Sequence, residues 1–244
     1  MCTVSFIPRQ RDYLLAMNRD EQRSRVAGLP PMQKEGASRN FICPSEPGGG
    51  TWIALNAAGV TFALINWYSI TRRVKGNSVS RGIVVNSVAE AEQPEIVLQN
   101  LRALQLEAVN PFRLIGVFPQ QRTVVEWGWN LENLCLQEHP WQARQFISSG
   151  FDEPAAQQHR SAVFQTARGQ KSVFTADWLR RLHRSHRPGC GALSTCMHRE
   201  DAVTVSYTEI QVTALSGRMS YHGGAPCHQG PTITRSFPVI VGKA

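Results

Sequence analysis

The chain has 244 residues, 42% of them apolar and 18% charged, with a net charge of +8 and a pI near 9.6. That is enough chain for a sizeable core, and we read residues 1–244 as a single domain. No apolar stretch approaches the length of about eighteen residues that a membrane span needs, and the run Cys2–Pro8 is too short, with no basic region before it, for a secretory signal. The six cysteines, at 2, 43, 135, 190, 196 and 227, form no CxxC pair and read as reduced thiols of a cytoplasmic protein. Arginine dominates the basic residues and favours bidentate contact with carboxylate or phosphate. The charge reads either as attraction for an anionic ligand, nucleic acid or acidic surface or as that of a merely basic protein. No basic run with interleaved aromatics forms a nucleic-acid motif, so the expected partner is a small-molecule ligand or amide substrate and not nucleic acid. The sequence sets no oligomeric state.

In chain order, two short apolar runs flank the polar turn Arg9-Gln10-Arg11-Asp12 and read as a β-hairpin, which returns Cys2 to the side of Asn18-Arg19-Asp20-Glu21. Residues 24–50 are rich in Pro, Gly and polar residues and read as a long loop over that site. Trp52–Asn56 and Val60–Trp67 read as strands across the turn Ala57-Ala58-Gly59. Ser80 is placed to cap a helix through Val88, and Pro94 to open another that buries Ile96, Val97, Leu101 and Leu104 on one face. Strands follow at 112–118 and 123–127, joined by 119–122, with an extended piece near 145–149. A helix over 154–168 carries the stripe Ala155, His159, Ala162, Val163 and Thr166, with His159 read as a core histidine. A helix over 176–185 packs Trp178, Leu179 and Leu182 and leaves Arg180, Arg181, Arg184 and Arg187 wet. Strands at 202–207 and 209–215 then turn at Ser216-Gly217 into 218–221, and the tail closes on Pro238-Val239-Ile240-Val241. Strands and helices in separate blocks indicate an α+β fold with antiparallel sheets.

Cys2 is the residue with the most specific chemistry. Once Met1 is removed, Cys2 carries both a thiol and an α-amine whose pKa near 8 suits it to act as the thiol's own base. Arg19 is suited to lower the thiol pKa, and Asp20 to orient the ammonium. The plain alternative is a small apolar residue opening a strand, with the tetrad as a solvated turn.

The start Met1-Cys2-Thr3, the tetrad 18–21, Gly49-Gly50-Thr51-Trp52-Ile53-Ala54-Leu55-Asn56 with Gly59, Ala63-Leu64-Ile65-Asn66, Ser80-Arg81-Gly82 and Asn110-Pro111-Phe112-Arg113-Leu114-Ile115 together resemble the NRDE family, also called transport and Golgi organisation protein 2. The likeness is strongest in the first eighty residues and loose after about residue 140. That family in turn resembles the N-terminal-nucleophile hydrolases of the penicillin V acylase and bile-salt hydrolase branch. The resemblance implies a four-layer αββα sandwich of two antiparallel sheets, and amide (C–N) hydrolysis by a cysteine. In the branch an Asp follows the second strand, where this chain has Asp20. An Arg stands three residues before that Asp, where this chain has Met17; its own arginine is Arg19. Asn66 matches the residue whose backbone N–H enters the oxyanion hole, although an Asn entering a turn fits the same place. A second oxyanion Asn would fall near Ser149, whose hydroxyl offers one donor. Asn18 of the tetrad and Arg199, a loose counterpart of a later arginine, complete the expected ligand contacts.

The NRDE family is also implicated in haem trafficking and in acyl-CoA or lipid homeostasis. The resemblance therefore implies an alternative without catalysis, in which arginines hold haem propionates or an acyl-CoA phosphate. No cofactor is required, and no CxxCH pattern accompanies haem as a ligand. His183, His186, Cys190, Cys196 and His198 crowd together, but their spacing matches no zinc pattern, so no metal site is expected.

Overall fold

The computed structural model describes residues 1–10 and 12–240; Arg11 of the first turn and Val241 of the tail lie outside the described residues. The hairpin forms as β1 (Cys2–Pro8) and β2 (Tyr13–Gln22), with Cys2 opposite Arg19 and Thr3 opposite Asn18. These strands sit inside a six-stranded antiparallel sheet, between β10 (Arg144–Ser148) and β11 (Ala202–Val212), which β12 (Ser216–His222) and β13 (Thr232–Pro238) extend. A second antiparallel sheet of seven strands runs in chain order: β3 (Leu29–Lys34), β4 (Phe41–Ser45), β5 (Ile53–Asn56), β6 (Thr61–Asn66), β7 (Phe112–Phe118), β8 (Thr123–Trp129) and β9 (Leu134–His139). Helices α1 (Gly82–Val88) and α2 (Pro94–Arg102) cover the second sheet, and α3 (Glu153–Arg168) and α4 (Ala176–His183) cover the first. This is the expected αββα sandwich.

Strand periodicity sorts the core. Val4, Phe6, Leu15 and Met17 point between the sheets against Ile53, Leu55, Ala63 and Ile115. The alternate residues Ile7, Leu14 and Ala16 point the other way, against Phe164, Trp178, Leu179 and Leu182 of the helices. A strand covered on both faces has no wet side, so β1 and β2 read as unbroken apolar runs. At the β5–β6 turn Gly59 adopts φ +77°, the Asn56 side chain accepts from the amides of Ala58 and Val60, and Tyr13 donates to the Gly59 carbonyl at 2.7 Å.

Several expectations are corrected. Residues 24–50 are not one loop: β3 and β4 pair within them, despite Pro30 and Pro31, because β3 is the edge strand of its sheet. The segments 202–207 and 209–215 are largely the single strand β11, which stays in the sheet through an irregularity between Thr204 and Ser206 and turns only after Val212. Strand β9 and most of β13 are polar edge pieces without a clear alternating apolar pattern. Arg81, not Ser80, is the residue before α1. Ile96 is exposed, leaving Val97 and Leu101 to pack α2. The stripe of α3 is rotated from the expected one: Glu153, Ala156, Arg160, Phe164 and Ala167 are buried, and His159 is only half-buried.

Arg160 explains that rotation. It is fully buried beneath the first sheet, donating to Thr3 Oγ1 at 2.7 Å and to the Ala192 carbonyl at 3.1 Å, with Asp20 Oδ2 at 3.5 Å. Beside it, His183 bridges Asn18 Oδ1 (3.0 Å) and Ser5 Oγ (2.9 Å). Asn18 Nδ2 is already donating to two carbonyls, so Nδ1 of a neutral His183 is the donor to Oδ1, and Nε2 accepts from Ser5. Burial, helped by the Arg160 charge, pushes the His183 pKa down from 6.5 to about 3.

Two outcomes are expected. Arg160→Ala leaves the Asp20 carboxylate buried without its cation and should cost about 3–5 kcal/mol in urea titrations at neutral pH. Below the ordinary histidine pKa the unfolded chain takes up a proton that folded His183 refuses until near its own value. Stability should therefore fall with falling pH by about 1.4 kcal/mol per pH unit from this group. Urea titrations between about pH 6.5 and 4 should show that slope reduced in His183→Gln.

Candidate active site

Cys2 opens β1 at the mouth of the inter-sheet space, 8% exposed, on a cleft of about 310 Å³. Arg19, directly across the ladder, shares its face of the sheet. The Arg19 guanidinium lies 4.3 Å above the Trp52 ring and donates to Glu46 Oε1 at 2.6 Å, with Glu21 at 3.5 Å. Arg25 closes the cluster, at 2.8 Å from Glu46 and 3.2 Å from Glu21. Carboxylates thus meet the charge of Arg19, and the thiol gains only a minor share of it. Burial pushes the Cys2 thiol pKa up, against the lowering effect of the terminal ammonium.

The Met1 amine donates to the Asp20 carbonyl at 3.1 Å, and the Asp20 amide returns to the Met1 carbonyl at 2.9 Å. Burial works against this ammonium, but the negative charge available at Cys2, Tyr68, Asp20 and Glu21 outweighs it and raises its pKa. The Asp20 carboxylate accepts from Thr204 Oγ1 at 2.7 Å through Oδ1. Its Oδ2 is buried and accepts no hydrogen bond among the described residues.

Asn66 ends β6, and its side chain donates to Tyr68 Oη at 2.7 Å. The Leu64 amide is bonded to Trp52 O and that of Trp67 to Pro111 O. By strand alternation the Asn66 N–H faces the same edge as that of Leu64, past the start of β5 and toward the cleft. Arg81 reaches the same cleft because Gly82 lets α1 approach the 50–51 backbone: a Cβ on Gly82 would stand 2.7 Å from Gly50 Cα. Arg81 donates to the Pro111 carbonyl at 3.3 Å and has no carboxylate partner among the described residues. Sequence reasoning missed Arg81, Glu46 and Trp52. Ser80-Arg81-Gly82 was visible as a segment of the resemblance, but nothing in it said which way the arginine points.

The other expected residues lie elsewhere. Asn18 turns away from the cleft into the helix layer, bonded to the carbonyls of His183 and Thr195. Ser149 follows β10 behind Met1 and donates to its sulfur at 3.5 Å. Arg199 pairs with Asp201 at 2.9 Å and stacks on Phe151, and it does not line the cleft. Of the His/Cys crowd, His183 belongs to the buried network and Cys190 is exposed, whereas His186, Cys196 and His198 come together with Cys227.

The model of the family Transport and Golgi organisation 2 matches residues 1–168, a stretch that carries the β1–β2 hairpin and every residue lining the cleft. The chain belongs to this family. Among solved structures, this Transport and Golgi organisation 2 member is similar to penicillin V acylase from Agrobacterium tumefaciens, with TM-score 0.54 and 10% identity over 91% of this chain and 83% of that one. It is also similar to the C2A mutant of conjugated bile acid hydrolase from Clostridium perfringens, with TM-score 0.57 and 8% identity over 96% and 92%. No curated protein matches by sequence. At such identities the likeness shows the fold, that of the N-terminal-nucleophile hydrolases. No helix among the described residues is long and apolar enough to cross a membrane.

With Met1 in place, the buried Cys2 thiol should react with iodoacetamide at neutral pH at least about tenfold more slowly than exposed Cys135 and Cys190, as read by peptide mass mapping.

Proposed function

We propose that the chain is an N-terminal cysteine amidohydrolase, active once Met1 is removed. The observation that carries this reading is Asp20 Oδ2, which is buried beside the first residues of the chain and, among the described residues, accepts no hydrogen bond and has only the Arg160 guanidinium near it, at 3.5 Å. A buried carboxylate oxygen with hydrogen-bonding capacity still unused suits a new ammonium on Cys2. In the proposed reaction the Cys2 amine takes the thiol proton, and the thiolate attacks the amide carbon to form a C–S bond. The C–N bond breaks as the leaving amine takes the proton from the ammonium. Water then cleaves the thioester, giving a carboxylic acid and restoring the thiol. The Asn66 N–H is the proposed oxyanion donor, joined by the Ser149 hydroxyl once loss of Met1 frees it from the Met1 sulfur, each worth about 3 kcal/mol when well aimed. Arg81, the cleft cation without an acid partner, would pair with an anionic group of the substrate. The names of the two neighbours, an acylase and a hydrolase, support acyl transfer on this fold. All six cysteines are free thiols, which supports a reducing compartment such as the cytoplasm.

Arg81 also supports a second reading, binding of an anionic ligand such as haem or acyl-CoA without hydrolysis. The cleft, at about 310 Å³, lies at the lower end of ligand sites, so either molecule would have to widen it.

Intact mass and N-terminal peptide mapping after bacterial cytoplasmic expression, with iodoacetamide near neutral pH, test the first reading. Loss of Met1, Cys2 labelling faster than the other five cysteines, and amide turnover falling by about a thousandfold or more in Cys2→Ala are expected. Retained Met1 or an inert Cys2 overturns it. A Soret shift with haem that disappears in Arg81→Ala would then support the binding reading.

A further inference from the structure

A second constellation lies outside the cleft, where two connections, α4–β11 and β12–β13, meet beside the first sheet. His186 follows α4, Cys196 and His198 precede β11, and Cys227 stands between β12 and β13. One ligand atom from each, two imidazole nitrogens and two sulfurs, lies within 4.8 Å of all the others. His198 Nε2 is 3.6 Å from Cys196 Sγ and 3.2 Å from Cys227 Sγ. Zinc bonds of about 2.3 Å to sulfur and 2.0–2.1 Å to nitrogen place tetrahedral ligand atoms roughly 3.3–3.8 Å apart, so small side-chain shifts suffice.

We infer that His186, Cys196, His198 and Cys227 form a tetrahedral Zn²⁺ site that clips these connections together. Two independent features agree with the distances. His186 Nε2 is buried and has no hydrogen-bond partner among the described residues, an arrangement that a metal bond would satisfy. The backbone is also held in place: the Cys196 amide donates to Ser185 O at 3.0 Å, the Met197 amide to Thr204 Oγ1 at 2.9 Å, and His198 bridges Val203. Two thiolates neutralise a divalent ion, so the complex suits a partly buried place, and the two thiol protons leave to solvent. The mixed sulfur and imidazole set favours zinc over magnesium or calcium. All four positions come from side chains, which marks a structural rather than a catalytic ion. His228, whose ring centroid is 5.5 Å from that of His198, lies just outside the four. The separations, nine, one and twenty-eight intervening residues, match no zinc-finger pattern, because the ligands come from connections that only the sheet brings together.

The test is metal analysis of untagged full-length protein purified without chelator from zinc-supplemented cells. One zinc per chain is expected, falling at least fivefold in Cys227→Ser and His198→Ala and unchanged in Cys135→Ser and Cys190→Ser. Cobalt exchanged into the parent should give the intense visible bands of a tetrahedral thiolate complex. Chelation should lower the melting temperature of the parent but not of Cys227→Ser, whose loop position makes folding of the variant expected. Circular dichroism checks that folding, and Cys196→Ser is measured beside it. Folded parent that holds no zinc after dialysis against zinc ion, or zinc kept in both cysteine variants, overturns the inference. An intact mass two hydrogens lower, mapping to a Cys196–Cys227 disulfide in protein kept under reductant, overturns it as well.

Discussion

The contact on which this structure most depends is the buried meeting of Asp20 with Arg160 and Thr204. Asp20 lies on β2, Arg160 on α3 and Thr204 on β11, so one carboxylate ties the middle of the first sheet to the helix that covers it. A charge there is tolerable only with its partners in place, and Arg160 in turn holds Thr3 of β1. The hairpin that presents Cys2 is thereby held by polar contacts on its helix side and by apolar packing on its inter-sheet side. A one-residue slip of β1 would exchange the two faces and put Thr3 and Ser5 into the apolar core, so the register of Cys2 opposite Arg19 is strongly specified.

The same alternation divides the Asn-Arg-Asp-Glu tetrad. Asn18 and the Asp20 carboxylate serve the helix layer, whereas Arg19 serves the cleft. Arg19 is enclosed by Trp52, Glu21 and Glu46, and the cation left without a carboxylate is Arg81, carried by a different element. Acidic and basic groups thus meet in pairs around Cys2, with one buried acceptor that takes no hydrogen bond, Asp20 Oδ2, and one cation, Arg81, free to meet a negative group. That asymmetry, more than the overall basic charge, gives the cleft its chemical character.

Much of the fold was legible because local chemistry and tertiary context agree. The hairpin, the β5–β6 pair around Gly59 and the Pro-initiated helices α2 and α3 each carry their own signals in turn residues and apolar spacing. Errors came where context overrode pattern. Apolar spacing on α3 selects Val163 and Ala162, but the buried face is chosen by Arg160, a charged residue that no hydrophobicity pattern places inside. Edge strands β3 and β9 carry prolines or polar residues and are strands only because a neighbour pairs with them.

For the site, the sequence by itself determined the elements and the resemblance: a cysteine beside a possible new terminus, a tetrad returned to it by a hairpin, and helices and strands in the block order of the αββα sandwich. These follow from contacts between residues near in sequence, whose periodicity can be read directly. Only the tertiary structure decided which members of the tetrad face the cleft, that Arg81 and Glu46 belong to it, and that Cys227 joins His186, Cys196 and His198. Those contacts join residues 27 positions apart for Arg19 and Glu46, 30 for Arg81 and Pro111, and 41 for His186 and Cys227. They are set by strand order and layer packing, which local patterns do not encode.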